Sequence, residues 1–211
     1  MTLDGIAKLA DPPGLIVMGT ATLDDGRGLV LIGAGAGLWP VFTASAEYGD
    51  GQVDPLDRWS KRVIGALAVE VGADAAYPSD GPPYLPFIAW ALKTGRFFQS
   101  PTGMMVHDTA GLMISIRGAL LFDTPLISQM PSKPSPCNSC ADTPCVSACP
   151  VGALSTDHAY DVPKCKGFLD TAEGEDCMAQ GCRVRRACPV SEQVDRAPAQ
   201  SAFHMKAFHP Q

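Results

Sequence analysis

The chain has 211 residues, 46% of them hydrophobic and 18% charged, with a formal net charge of −6. That is enough apolar material to bury a core, which excludes a disordered chain, and the length suits one ordinary domain or two small ones. An acidic chain without clustered Lys and Arg is ill suited to nucleic acid, and no apolar run approaches the ~20 residues that span a bilayer, so neither partner is expected.

The first residues, Met1-Thr2-Leu3-Asp4-Gly5, show no basic stretch followed by an apolar one. The expected compartment is therefore a reducing cytoplasm, where thiols are free to bind metal. Residues 3–10 read as a short helix, ended by Asp11-Pro12-Pro13-Gly14. Leu15 to Leu23 and Leu29 to Ile32 read as strands buried on both faces, and Asp24-Asp25-Gly26-Arg27-Gly28 turns them into a hairpin.

Gly33-Ala34-Gly35-Ala36-Gly37 invites a dinucleotide reading, but that fingerprint requires a third glycine three residues after the second and then a helix. Leu38-Trp39-Pro40 intervenes, with Pro40 expected to block helix entry, so a tight loop is the better account. Asp54-Pro55-Leu56-Asp57 is a helix start with Asp54 as cap and Pro55 at the first helical position. Leu56, Trp59, Val63 and Leu67 recur at helical spacing up to Gly72, which places Trp59 in the core and Arg58, Lys61 and Arg62 on a solvated face. A loop at 77–83 leads to a short helix near 86–94, apolar on most sides and hence expected to be buried, that stops at Gly95.

Leu112 to Phe122 alternates like a strand and carries Arg117 within it. A guanidinium there needs an anion, so a pair with Asp108 or Asp123, or a bound phosphate, is expected. His107 reads as a loop side chain bonded to nearby backbone. Met130-Pro131-Ser132-Lys133-Pro134-Ser135-Pro136 is a stiff connector that marks a domain boundary.

All eight cysteines lie beyond that connector: Cys137-x2-Cys140-x4-Cys145-x3-Cys149-Pro150, then Cys165, then Cys177-x4-Cys182-x5-Cys188-Pro189. Thiolates in sets of four hold tetrahedral zinc or a cubane iron–sulfur cluster. A Cys-x-x-Cys start, a third Cys soon after and a fourth followed by Pro is close to the bacterial ferredoxin run, in which the fourth Cys serves the other cluster. Zinc ribbons need neither the proline nor the exchange, so the repeated Cys-Pro ending points to two [4Fe-4S] clusters rather than to zinc or disulfides. Arg183, Arg185 and Arg186 fall between Cys182 and Cys188, where they can offset cluster charge, dock an acidic partner or form a solvated patch. Phe203-His204-Met205-Lys206-Ala207-Phe208-His209 forms a tail whose aromatics are expected to fold back over a cluster.

The cysteine stretch resembles the iron–sulfur module of epoxyqueuosine reductase, with its compact first run, an isolated cysteine in a context like Cys165-Lys166-Gly167-Phe168-Leu169, and a late cluster like Cys177 to Pro189. The resemblance implies crossed ligation: Cys137, Cys140, Cys145 and Cys188 on one cluster, Cys149, Cys165, Cys177 and Cys182 on the other. His107, Gly111-Leu112 and Arg117-Gly118-Ala119-Leu120-Leu121 are similar to the strand that precedes the module in that reductase and in the cobalamin-processing decyanases, relatives of flavin-dependent nitroreductases. The expected architecture is therefore α+β, with a small nitroreductase-like α/β domain over residues 1–130 and a ferredoxin-like bis-[4Fe-4S] module with a C-terminal tail over 131–211. The leading functional expectation is a cytoplasmic electron-transfer protein serving a redox partner protein. Two alternatives stay open: a reductase whose first domain binds a corrinoid (cobalamin) or flavin and is fed by the clusters, with no residue matched to the catalytic acid, and a zinc-stabilised interaction module.

Overall fold

The computed structural model describes residues 2–127 and 129–210. Its elements in chain order are α1 (Leu3–Ala10), β1 (Leu15–Thr22), β2 (Gly28–Ala34), α2 (Leu38–Thr43), α3 (Ala46–Gly49), α4 (Pro55–Val71), β3 (Asp74–Ala76), α5 (Phe87–Lys93), β4 (Phe97–Gln99), β5 (Met105–His107), β6 (Ile116–Phe122), α6 (Val162–Leu169), α7 (Glu175–Gln180), α8 (Arg183–Arg186) and α9 (Pro198–Phe208). The protein is mixed α+β with small antiparallel sheets. Among the described residues no helix is long and apolar enough to cross a membrane.

The chain forms two compact units: the residues up to Arg96 with Ser115–Lys133, and Phe97–Ile114 with the chain from Pro134 on. A single cut at 130/131 therefore does not describe the division. Residues 97–114 belong to the second unit because Val106 and Leu112 are buried against Cys145, Leu154, Val184 and Cys188.

In the first unit four strands run in the order β1-β2-β6-β3, every neighbouring pair antiparallel. The β1–β2 hairpin turns where the sequence places it, with Leu23 N donating to Arg27 O at 2.8 Å. Leu29, Val30, Leu31 and Ile32 of the central β2 are completely buried, as a continuous apolar run implies. Helix α4 packs on β3 and β6. It buries Leu56, Trp59, Ile64 and Leu67, Ile64 taking the place that periodicity gave to the half-buried Val63. Gly118 permits this approach, since a Cβ there would lie 2.9 Å from Ile64 Cδ1. Pro55 opens α4 and Gly72, at φ 68°, closes it. Asp54 is the N-cap residue, but in a left-handed conformation with no side-chain cap bond.

The glycine-rich segment is a packing device. Gly35 N donates to Gly14 O at 2.9 Å, and a Cβ on Gly14 would fall 2.2 Å from the Gly37 carbonyl carbon. Pro40 does not stop the helix: α2 begins at Leu38. In the first turn a missing N–H costs nothing, because those donors have no intrahelical acceptor. Helix α5 is apolar on most sides yet only partly buried. Phe87, Trp90 and Ala91 face inward, while Ile88 and Leu92 are exposed.

The second unit holds the β4–β5 hairpin, α6 to α9 and long irregular segments. Asp161 caps α6 by accepting from Lys164 N at 2.9 Å, and α9 packs on α7.

Candidate metal centre

All eight cysteines belong to the second unit and all are free thiols. Cys137 sits in a 3-10 turn, Pro136–Ser139, whose entry is fixed by Ser135: its Oγ accepts from Cys137 N at 3.3 Å. The next turn uses the two residues that expand the first run, Thr143 adopting φ +36° and its carbonyl accepting from Val146 N at 2.9 Å. This folds Cys145 inward to join Cys188 in the apolar cluster. Cys137, Cys140, Cys145 and Cys188 then line one cavity of about 350 Å³, with Val106 and Leu112 in its wall.

The electrostatics sort the thiols in the same way. Burial pushes the Cys137 thiol up, and negative charge on Cys188 and Cys140 adds to it. Cys145 is pushed up by burial and by Cys137, Cys188 and Cys140. In the other set, burial raises Cys165, with Cys182 and Cys149 adding to it. Burial likewise raises Cys177, with Cys182 as the neighbouring thiol. The thiols that raise Cys137 and Cys145 thus come from the first set, and those that raise Cys165 and Cys177 from the second.

The second quartet carries hydrogen-bond donors. Ala153 N donates to Cys149 Sγ at 3.2 Å, a bond supplied by the turn after Cys149-Pro150. Hydrogen bonding from the Arg183 backbone lowers the Cys177 thiol, and the Tyr160 hydroxyl does the same for Cys165. Donors of this kind orient thiolate ligands and tune the group they hold. The donor set fits a cationic metal group: buried or partly buried thiols such as Cys137, Cys145, Cys165 and Cys177, which oppose their own ionisation, become thiolates when metal binding offsets the charge.

Among the described residues no group of three or more His, Cys, Asp or Glu side chains is close enough to hold one metal ion. No family model matches the chain, and no curated protein matches it.

Several other sequence candidates have defined places. His107 lies on β5, buried, and its Nδ1 accepts from Thr109 N and Ala110 N, both at 3.2 Å. Its Nε2 lies 3.3 Å from Asp108 Oδ1. Arg117 pairs with Asp57 at 3.3 Å, in place of the expected Asp108 or Asp123, because the sheet brings α4 against β6. Burial pushes its guanidinium below the usual range and Asp57 opposes that shift. Arg183 and Arg186 both bond Asp176, Arg183 at 2.7 Å, and Arg185 donates to the Leu112 carbonyl. All three arginines thus hold the local chain together.

Tyr160, Ser135 and Ala153 escape sequence reasoning. Ser135 and Ala153 do stand at fixed short offsets from Cys137 and Cys149. Tyr160 had no such signal, because its partnership depends on the tail: Phe208 of α9 stacks on it with centroids 6.4 Å apart at 19°. The tail is held by Lys166, 5.3 Å over the Phe208 ring, and by His209 Nε2, 2.7 Å from Asp170 Oδ1.

Proposed function

We propose that the protein is a cytoplasmic iron–sulfur electron-transfer protein with two [4Fe-4S] clusters. Cys137, Cys140, Cys145 and Cys188 would hold one, and Cys149, Cys165, Cys177 and Cys182 the other. The observation that carries this reading is that Cys137, Cys140, Cys145 and Cys188, drawn from both ends of the cysteine stretch, line one cavity, which leaves the other four thiols for a second centre. The crossing follows the Cys-Pro endings, which suit a pair of cubane clusters better than zinc. Two such clusters supply a pair of one-electron carriers, exchanging electrons with a redox partner protein. In this reading the second unit is a ferredoxin-like module and the first a shortened relative of the nitroreductase-like domains, with Arg117 and Trp59 serving its core.

The test is anaerobic purification followed by iron, sulfide, zinc and chromophore analysis. The expected result is a brown protein with about eight iron and eight sulfide per chain that bleaches on reduction. Stoichiometric zinc in a colourless sample contradicts the proposal. Release of a corrinoid or flavin on denaturation shifts the reading from electron carrier to reductase.

A further inference from the structure

The second unit has another cavity, open to solvent and about 980 Å³ in volume. Its wall comes from three segments: β4 with the turn that follows it, residues 135–138, and residues 154–160. Cys137 of the first quartet is itself in that wall. So is Tyr160. An occupant therefore lies directly against Cys137 of the first quartet.

The chemistry of the wall narrows the class of occupant. Among the described lining residues none is Asp, Glu, Lys or Arg, so the wall offers neither the carboxylates that a cation needs nor the guanidinium or ammonium groups that a phosphate or carboxylate needs. It offers neutral donors. The Ser100 and Thr102 hydroxyls lie 3.2 Å apart, both residues buried, and two hydroxyls sharing one hydrogen bond leave one O–H over. Ser155 Oγ accepts from Asp157 N, which leaves its O–H to donate; Asn138 adds an amide. Phe98 and Tyr160 supply ring faces, Met104 and Leu154 apolar surface. Flat rings between apolar walls, met by O–H and N–H donors, suit an uncharged conjugated molecule with carbonyl oxygens.

We propose that this cavity binds a quinone-class acceptor and presents it to the first quartet. The electron-transfer part rests on the two-cluster reading above; the binding part rests on the wall alone. Reduction of a quinone to its hydroquinone takes two electrons and two protons. One electron from each of two one-electron centres meets that count, a low-potential donor protein restores both, and water supplies the protons. His158, in the wall, exposed and with Nδ1 2.8 Å from Ala159 O, has Nε2 available to pass a proton from water to a quinone oxygen.

The probe is duroquinone, whose fully methylated ring leaves no position for thiol addition. Oxidised protein is titrated by calorimetry, with Ala159→Trp and Thr156→Trp as variants that fill the cavity from exposed wall positions. The expected result is binding at one site, weakened about tenfold or more in both variants, each retaining parental circular dichroism and iron content. Reduced, desalted protein is then mixed anaerobically with duroquinone or ferricyanide. Reoxidation by the quinone slows by a similar factor in the variants, while reoxidation by ferricyanide does not change. Absence of binding, or binding and quinone rates equal in parent and variants, overturns the cavity assignment. An iron-free protein that still binds duroquinone in a variant-sensitive way upholds the binding site and overturns the two-cluster reading instead.

Discussion

The two units are held together by different means. In the first, a four-stranded antiparallel sheet buries Leu29, Val30, Leu31 and Ile32, and α4, whose Trp59 and Ile64 are almost completely buried, packs on its β3 and β6. Its backbone groups are paired in ladders, and its core is aliphatic and aromatic. In the second, the central cluster of six buried residues includes Cys145 and Cys188, with Cys137, Cys149 and Cys182 packed around it. A core made partly of thiols, threaded by turns and short helices, has little apolar area to offset the entropy of ordering so much loop. Apolar burial makes the first unit self-sufficient, whereas in the proposed reading the second gains its order from clusters held by its cysteines.

Removing the bound metal is the strongest way to break this contrast. On chelation or air oxidation, amides across residues 137–190 lose hydrogen-exchange protection by orders of magnitude, while those of β1, β2 and β6 keep theirs. Hydrogen exchange with mass-spectrometric readout checks this, and equal protection before and after metal loss in residues 137–190 contradicts it.

The converse perturbation comes next in size. Ile64→Ala removes a fully buried side chain from the contact between α4 and Gly118. It is expected to cost the first unit about 2–5 kcal/mol in denaturant unfolding, while iron content stays at the parental level. Parallel loss of iron would show that the units do not stand on separate footings.

A smaller effect sharpens the picture within the second unit. Tyr160→Phe deletes the hydroxyl that lowers the Cys165 thiol and leaves the ring to stack on Phe208. A donor to sulfur stabilises the more negative, reduced state, so its loss lowers the midpoint potential of one centre with the iron count unchanged. Spectroelectrochemical titration reads this, and two unshifted potentials contradict it.

The smallest effect lies in the first unit. Arg62 hydrogen-bonds Glu47 and holds its carboxyl down to about 2 from an ordinary 4.5. The contribution is full above pH 4.5 and is lost as the pH falls from about 4.5 to about 2, because the unfolded chain takes up the proton first. Arg62 is largely solvent-facing, which limits the pair to about 1 kcal/mol. Glu47→Gln should remove that part of the acid sensitivity in chemical unfolding curves.

The sequence made some of this plain. The β1–β2 hairpin, the start and stop of α4 and the burial of Trp59 follow from alternation, proline and glycine placement, and helical spacing. Signals fixed by long-range contact were not readable. Hairpin β4–β5 has strands of three residues each, too short for alternation to register, and its packing against Cys145 and Cys188 takes 97–114 out of the first unit. The strand expected from Leu112 begins only at Ile116, because Leu112 N is drawn to Ser191 Oγ at 2.8 Å. The partner of Arg117 depended on where α4 crosses the sheet. In the candidate site the sequence marked the eight cysteines, and the resemblance implied their grouping, whereas Tyr160 meets Phe208 only through α9.

Crossed ligation is the central claim, and paramagnetic resonance of reduced alanine variants of the cysteines tests it most directly. The account predicts that Cys149→Ala damages the same centre as Cys165→Ala, Cys177→Ala and Cys182→Ala, leaving one residual spectrum. Cys188→Ala is predicted to leave the other spectrum, shared with Cys137→Ala, Cys140→Ala and Cys145→Ala. If Cys149→Ala instead groups with Cys137→Ala, each centre is held by its own contiguous run and the crossed arrangement is wrong.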